Sequence, residues 1–187
     1  MKRTVLLFSA LLVFMPGLLF GQFKLGAMAL YNFPLSPAEV TYIDSQGVGL
    51  QDFSFGAEAR LGLGLLDAAV VGMVDPGYVY KDANGEEYTV TYFDIMPRVG
   101  LALDLGGLRV SAGVGPSFTL EIYSNGDFTD PFGIGSNAMA SIELPLTKTL
   151  SLAVNYLMKF EFNIKDMSTS ILNADMSVGQ IGFAILF

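Results

Sequence analysis

From residue 22 onward, large apolar residues recur at every second position in one stretch after another, and the positions between them hold mostly small or polar side chains. Side chains of a β-strand point to opposite faces with a period of two, so each stretch predicts a strand with one oily face. The first runs from Phe23 to Phe33, with Phe23, Leu25, Ala27, Ala29, Tyr31 and Phe33 on one face and Lys24, Gly26, Met28 and Leu30 on the other. Pro34 and Pro37 break pairing, and a long loop follows to about Leu50. The second, Gln51 to Leu66, sets Phe53, Phe55, Ala57, Ala59, Leu61, Leu63 and Leu65 against Ser54, Gly56, Glu58, Arg60, Gly62 and Gly64. A tight turn over Leu66 to Ala68 leads into the third, which ends near Tyr80; Met73 and Asp75 share its inner face, and Asp75-Pro76-Gly77 predicts a bulge. Asn84-Gly85 suits a hairpin turn because both positions accept positive φ.

The fourth strand, about Tyr88 to Leu103, places Phe93, Ile95, Pro97, Val99, Leu101 and Leu103 opposite Asp94, Met96, Arg98, Gly100 and Ala102. A turn at Asp104 to Gly107 precedes the fifth, Leu108 to Tyr123, whose second face carries Arg109 and Glu121. After a polar loop the sixth spans Ile134 to Leu144, and the seventh Leu150 to Ile164, with a turn at Pro145 to Thr149 between them. The last, Asn173 to Phe187, has Ile181, Phe183, Ile185 and Phe187 on one face and Gln180, Gly182 and Ala184 on the other. Short connections near residues 67, 105 and 147 alternate with mostly longer ones at 34–50, 81–87, 124–133 and 165–172, which carry most of the acidic residues. An even number of strands with short turns at one end and long loops at the other predicts an all-β, eight-stranded antiparallel up-and-down barrel.

Composition decides what surrounds it. Hydrophobic residues make up 52% and charged residues 15%, against about 25% charged in soluble domains. Beyond the first twenty or so residues no apolar run is long enough for a spanning helix, which leaves a transmembrane barrel. A soluble barrel would carry a charged face toward water; here the polar face is mostly Gly, Ser, Ala and Thr, which suits the crowded lumen of eight strands. Phe53, Phe55, Tyr78, Tyr80, Phe93, Phe160 and Phe162 fall toward the long-loop ends of their strands, where an interfacial girdle belongs. Residues 1–21 read as a signal peptide: Lys2 and Arg3, an apolar Thr4 to Phe14, then Pro16-Gly17, with Gly21 before the cut. Residues 22–187 form the barrel domain. Removing Lys2 and Arg3 from the 10 basic residues leaves 8 against 18 acidic, a net charge of −10, which disfavours a nucleic-acid partner.

The mature chain resembles the small eight-stranded outer-membrane barrels of bacteria: the outer membrane protein X and W types, and the membrane domain of the outer membrane protein A type. The resemblance rests on the leader, the eight-fold alternation and the closing Ile181–Phe183–Ile185–Phe187 face. It implies an outer-membrane location with periplasmic termini, contact with outer-membrane lipid, and recognition of that closing face by the barrel assembly machinery. No subfamily motif is present, so no subfamily function carries over.

Chemistry is sparse. With no cysteine and no histidine there is no disulfide, no thiolate or imidazole metal site and no His-based catalytic site, so the expectation is a non-enzyme without cofactor or metal. Inward charges of both signs, Glu58, Arg60, Asp75, Asp94, Arg98, Arg109, Glu121, Glu143, Lys159 and Glu161, predict a paired network, because low-dielectric surroundings demand partners. Met28, Met73, Met96, Met139 and Met176 point inward from five strands, as core filling or as an apolar lumen lining. The loop acids Glu39, Asp44, Asp82, Glu86, Glu87, Asp127, Asp130 and Asp166 form a solvated face, and Asn125, Asp127 and Asp130 match no calcium-loop spacing. Two functions stay open: a closed structural or surface-interaction barrel whose loops meet an extracellular partner, and a narrow channel or transporter for small hydrophobic or polar solutes.

Overall fold

The computed structural model describes residues 22–34, 49, 52–81, 87–124, 132–162 and 174–187. Eight strands follow one another: β1 (Gln22–Pro34), β2 (Phe53–Leu63), β3 (Leu66–Lys81), β4 (Glu87–Asp104), β5 (Arg109–Tyr123), β6 (Phe132–Pro145), β7 (Ser151–Phe162) and β8 (Ala174–Leu186). Each pairs antiparallel with the next, and β1 also pairs with β8, so the sheet closes on itself and has no free edge. Closure is completed at the short-turn end, where the Leu25 N–H donates to the Phe187 carbonyl (2.8 Å) and the Phe187 N–H to the Leu25 carbonyl (2.7 Å).

The expected strand parity holds: outward positions are exposed and apolar, inward positions are buried. Val99, Leu101, Ile95 and Phe183 are each more than half exposed and belong to a belt that runs around the wall. A belt of this kind is untenable in water and natural in hydrocarbon. Aromatic side chains mark both of its ends. Tyr31, Phe55, Phe93, Phe118 and Phe132 sit toward the long loops, with Tyr31 edge-on to Phe53 at 5.6 Å; Phe23, Phe183 and Phe187 sit toward the short turns. The second group was not anticipated from the sequence. Among the aromatics expected in the girdle, the side chains of Tyr78, Tyr80 and Phe162 lie outside the described residues.

The structure departs most from the sequence reading at the β2–β3 turn and at the start of β6. The second strand does not reach Leu66: the chain reverses at Gly64-Leu65, with Leu63 opposite Leu66. Gly64 takes a φ of +64°, the left-handed conformation that a two-residue hairpin turn requires. The third strand therefore starts at Leu66, and Asp67 becomes an inward residue rather than a turn residue. The sixth begins at Phe132, two residues ahead of Ile134. The irregularity expected near Pro76 is present, as a register shift between Asp75 and Tyr78. The long connections, apart from residues 49 and 52 and strand-edge positions such as Glu87 and Ser124, lie outside the described residues, as does the leader expected at 1–21.

One seam in the wall is unusual. The β4–β5 ladder runs to Ile95↔Phe118 and resumes at Val99↔Val114; continuing the register across the gap sets Pro97 opposite Pro116. Neither has an N–H to give, so the ladder loses bonds there. Asn137 on β6 compensates from the lumen, its Nδ2 donating to the carbonyls of Pro116 (2.7 Å) and Gly115 (3.1 Å). The strands approach so closely that a Cβ on Gly115 would lie 1.9 Å from the Pro97 oxygen. Only glycine fits there.

Candidate functional site in the barrel lumen

Inward side chains fill the lumen in three tiers. The lowest, toward the short turns, is ionic. The strands β1, β2, β3, β5 and β6 bring Lys24, Arg60, Asp67, Arg109 and Glu143 to a common level, and β2 and β4 add Glu58 and Arg98 just above. Arg60 lies at the centre: its Nε donates to Glu58 Oε1 (2.9 Å), its Nη1 to Glu143 Oε2 (3.4 Å) and its Nη2 to Ser141 Oγ (3.4 Å), with Asp67 3.9 Å away. Glu58 Oε1 also accepts from Arg98 Nη2, and Glu143 from Lys24 Nζ. Arg109 pairs with Asp67 and Asp104, both at 3.3 Å. Arg60 and Glu58 are each 2% exposed, so this is an interior network and not a set of surface pairs.

The middle tier is apolar. Met28, Leu30, Val71, Met73, Met96, Met139, Ala153, Leu157, Ala184 and Leu186 form one buried cluster. Thioether side chains are flexible enough to fill a space whose walls come from several strands, and the Arg98 guanidinium rests against the Met139 sulfur. The upper tier is mixed. Lys159 Nζ donates to Asp94 and lies 3.5 Å from Asp75, while the Thr119 hydroxyl donates to Asp94 Oδ1 (2.6 Å). Beside it, Gln180 Nε2 donates to Asn32 Oδ1 (2.7 Å) and Ser54 Oγ (2.9 Å), and the Ser54 hydroxyl to Asn32 Oδ1 (2.8 Å).

Of the inward charges expected from the sequence, Glu58, Arg60, Arg98, Arg109 and Glu143 meet in the lower tier, and Asp75, Asp94 and Lys159 in the upper. Glu121 belongs to neither: it is partly exposed and accepts from the Tyr123 hydroxyl on its own strand. Met28, Met73, Met96 and Met139 share the middle tier. The side chains of Glu161 and Met176 lie outside the described residues, as do Asn125, Asp127, Asp130 and the other loop acids except Glu87.

Sequence reasoning left several participants out. Lys24 was placed on the inner face but not counted as a charge partner, although it reaches across the lumen from β1 to pair with Glu143 on β6. Asp67 was hidden by the misplaced turn. Leu30, Ser54 and Gln180 were placed on the inner face but given no role, and Asn32, Leu157 and Leu186 follow from the same strand parity. Among the described residues, no three His, Cys, Asp or Glu side chains are grouped to hold a metal ion. At the short-turn mouth a cup of about 590 Å³ opens to solvent, lined by residues that include Phe23, Lys24, Arg109, Glu143, Lys148 and Phe187.

No protein-family description and no curated protein matches the sequence. Solved structures do match the fold. Neisserial surface protein A superposes with a TM-score of 0.62 at 15% identity, over 89% of this chain and 97% of that one. The fold is that of a small eight-stranded outer-membrane β-barrel. The outer membrane protein OprG from Pseudomonas aeruginosa is similar as well, with a TM-score of 0.52 at 13% identity over 88% of this chain and 95% of that one. At such identities the likeness extends to the wall and not to what fills it, so the lumen has to be read from its own residues.

Proposed function

We propose that this is a closed outer-membrane barrel that acts at the cell surface through its long loops, with the lumen serving as an internal brace. Continuity of burial carries the reading. From Glu143 at the short-turn end, through Arg60, Met96 and Leu157, to Gln180 and Val90 toward the loops, each of these lumen side chains is at most 2% exposed. A solute path would leave its lining accessible to water. Opposed charges reinforce the point, since parting them strands ions in a low-dielectric interior. On this reading the protein is not an enzyme and needs no cofactor.

The same proposal covers placement. Residues 1–21 direct export and are removed, the short turns and both ends of the barrel domain face the periplasm, and the acidic long loops meet an extracellular partner. Ile181, Phe183, Ile185 and Phe187 serve as the assembly signal; all four face outward and are close to half exposed or more, so assembly machinery can reach them. Phe187→Asp is expected to lower outer-membrane insertion far more than deletion of a long loop, measured as the heat-modifiable fraction in membranes; equal insertion would remove Phe187 from this role.

A narrow transporter is the second reading, favoured by the methionine tier, whose side chains can rearrange around a small apolar guest. Planar-bilayer recordings of refolded protein separate the two. The closed barrel gives absent or rare currents. Steady single-channel currents that change with Arg98→Ala and Glu58→Ala would overturn it, as would uptake of a small apolar solute into liposomes that depends on the protein.

A further inference from the structure

The lipid-facing belt does not stop where the strands do. Hairpin turns that stand in water favour Gly, Asn, Asp, Ser and Pro. Here each of the three short turns puts a leucine at or next to its tip: Leu65 between β2 and β3, Leu105 between β4 and β5, and Leu146 between β6 and β7, exposed at 64%, 61% and 55%. Each continues an outward apolar row from the strand below it, as Leu101, Leu103 and Leu105 do along β4. Along β4 and into its turn the outward apolar row extends over 12 residue steps, from Phe93 to Leu105. At about 3.3 Å per residue and a tilt of about 40°, that is a height of about 30 Å, against an apolar band of about 25 Å in barrels of this class. The surplus is the height of a turn tip.

Charge distribution fits the same picture. No charged residue lies between Leu61 and Leu66. Asp67 turns inward, and Asp104, whose side chain is exposed, pairs with Arg109 at 3.3 Å. Lys148, flanked by Thr147 and Thr149, is placed to reach headgroups on its flexible stem while Leu146 stays below. We infer that the short-turn end of the barrel is itself a lipid contact: Leu65, Leu105 and Leu146 are immersed in the bilayer edge, and the charged cup opens at headgroup level rather than projecting into the aqueous phase. The occupant is membrane hydrocarbon, because the leucine rim is continuous with the lipid-facing wall.

The chain lacks cysteine, so single thiols report cleanly. Leu65→Cys, Leu105→Cys and Leu146→Cys, each carrying a nitrobenzoxadiazole label, are reconstituted in phosphatidylcholine vesicles, with Val99→Cys as the mid-belt reference and Thr149→Cys, which lines the open cup, as the water-accessible reference. Only variants with folded gel mobility are read. The expected result is blue-shifted emission at the three leucine sites and loss of intensity with spin-labelled lipid, as at Val99, with little loss to iodide. Quenching by iodide as at Thr149, without quenching by lipid, would overturn the inference. So would protection from both quenchers, which would mean that a second copy or another protein covers the turns.

Discussion

Among the described residues, each buried carboxylate in the short-turn half of the lumen meets two cations, whereas in the long-loop half two carboxylates share one. Glu58 lies between Arg60 and Arg98, Glu143 between Arg60 and Lys24, and Asp67 between Arg60 and Arg109. Among the described residues of the upper tier, Asp75 and Asp94 converge on Lys159. The difference teaches that what a residue's partners keep after it is removed is the guide to its worth. The carboxylates around Arg60 each keep another cation when it goes. Among the described residues, Lys159 is the cation that Asp75 and Asp94 share.

The largest effect should therefore come from Lys159→Met. Leaving two buried carboxylates without their shared cation is expected to cost about 3–5 kcal/mol, read from urea unfolding of the refolded barrel in vesicles. Adding Asp94→Asn to it should recover part of the loss. Arg60→Met is expected to cost less, about 1–3 kcal/mol, because Arg98, Lys24 and Arg109 remain; a loss equal to that of Lys159→Met would break the comparison. Gln180→Met removes two neutral hydrogen bonds while Ser54 still serves Asn32, for about 1–2 kcal/mol by the same unfolding measurement. The smallest change belongs on the outer wall. Val99→Ala, at 67% exposure, trades one lipid-facing side chain for a smaller one and should shift stability by less than about 0.5 kcal/mol.

The wall was far more legible than the interior. Alternation with a period of two is a local signal, so the strands, the faces and the bulge near Pro76 could be read directly from the residues. Which charge faces which depends on register, and register depends on turn length and on the stagger with which the barrel closes. Moving one turn from Leu66–Ala68 to Gly64-Leu65 was enough to convert Asp67 into a lumen residue. Lys24 and Glu143 are 119 positions apart and meet only because the sheet closes, which no local pattern encodes. The prolines at 97 and 116 look innocuous singly; that they oppose each other, and that Asn137 mends the gap, follows only from the pairing.

The central claim is that water does not thread the lumen, and thiol accessibility tests it most directly. Ala153 and Ala184 face the interior at 0% and 1% exposure, and Thr147 lines the open cup at the short-turn mouth. In the cysteine-free background, Ala153→Cys and Ala184→Cys are expected to resist a charged methanethiosulfonate reagent in the folded barrel and to react fully once unfolded, while Thr147→Cys reacts in both states. Modification of the two lumen thiols in the folded barrel at the rate seen for Thr147→Cys would contradict the closed-lumen account.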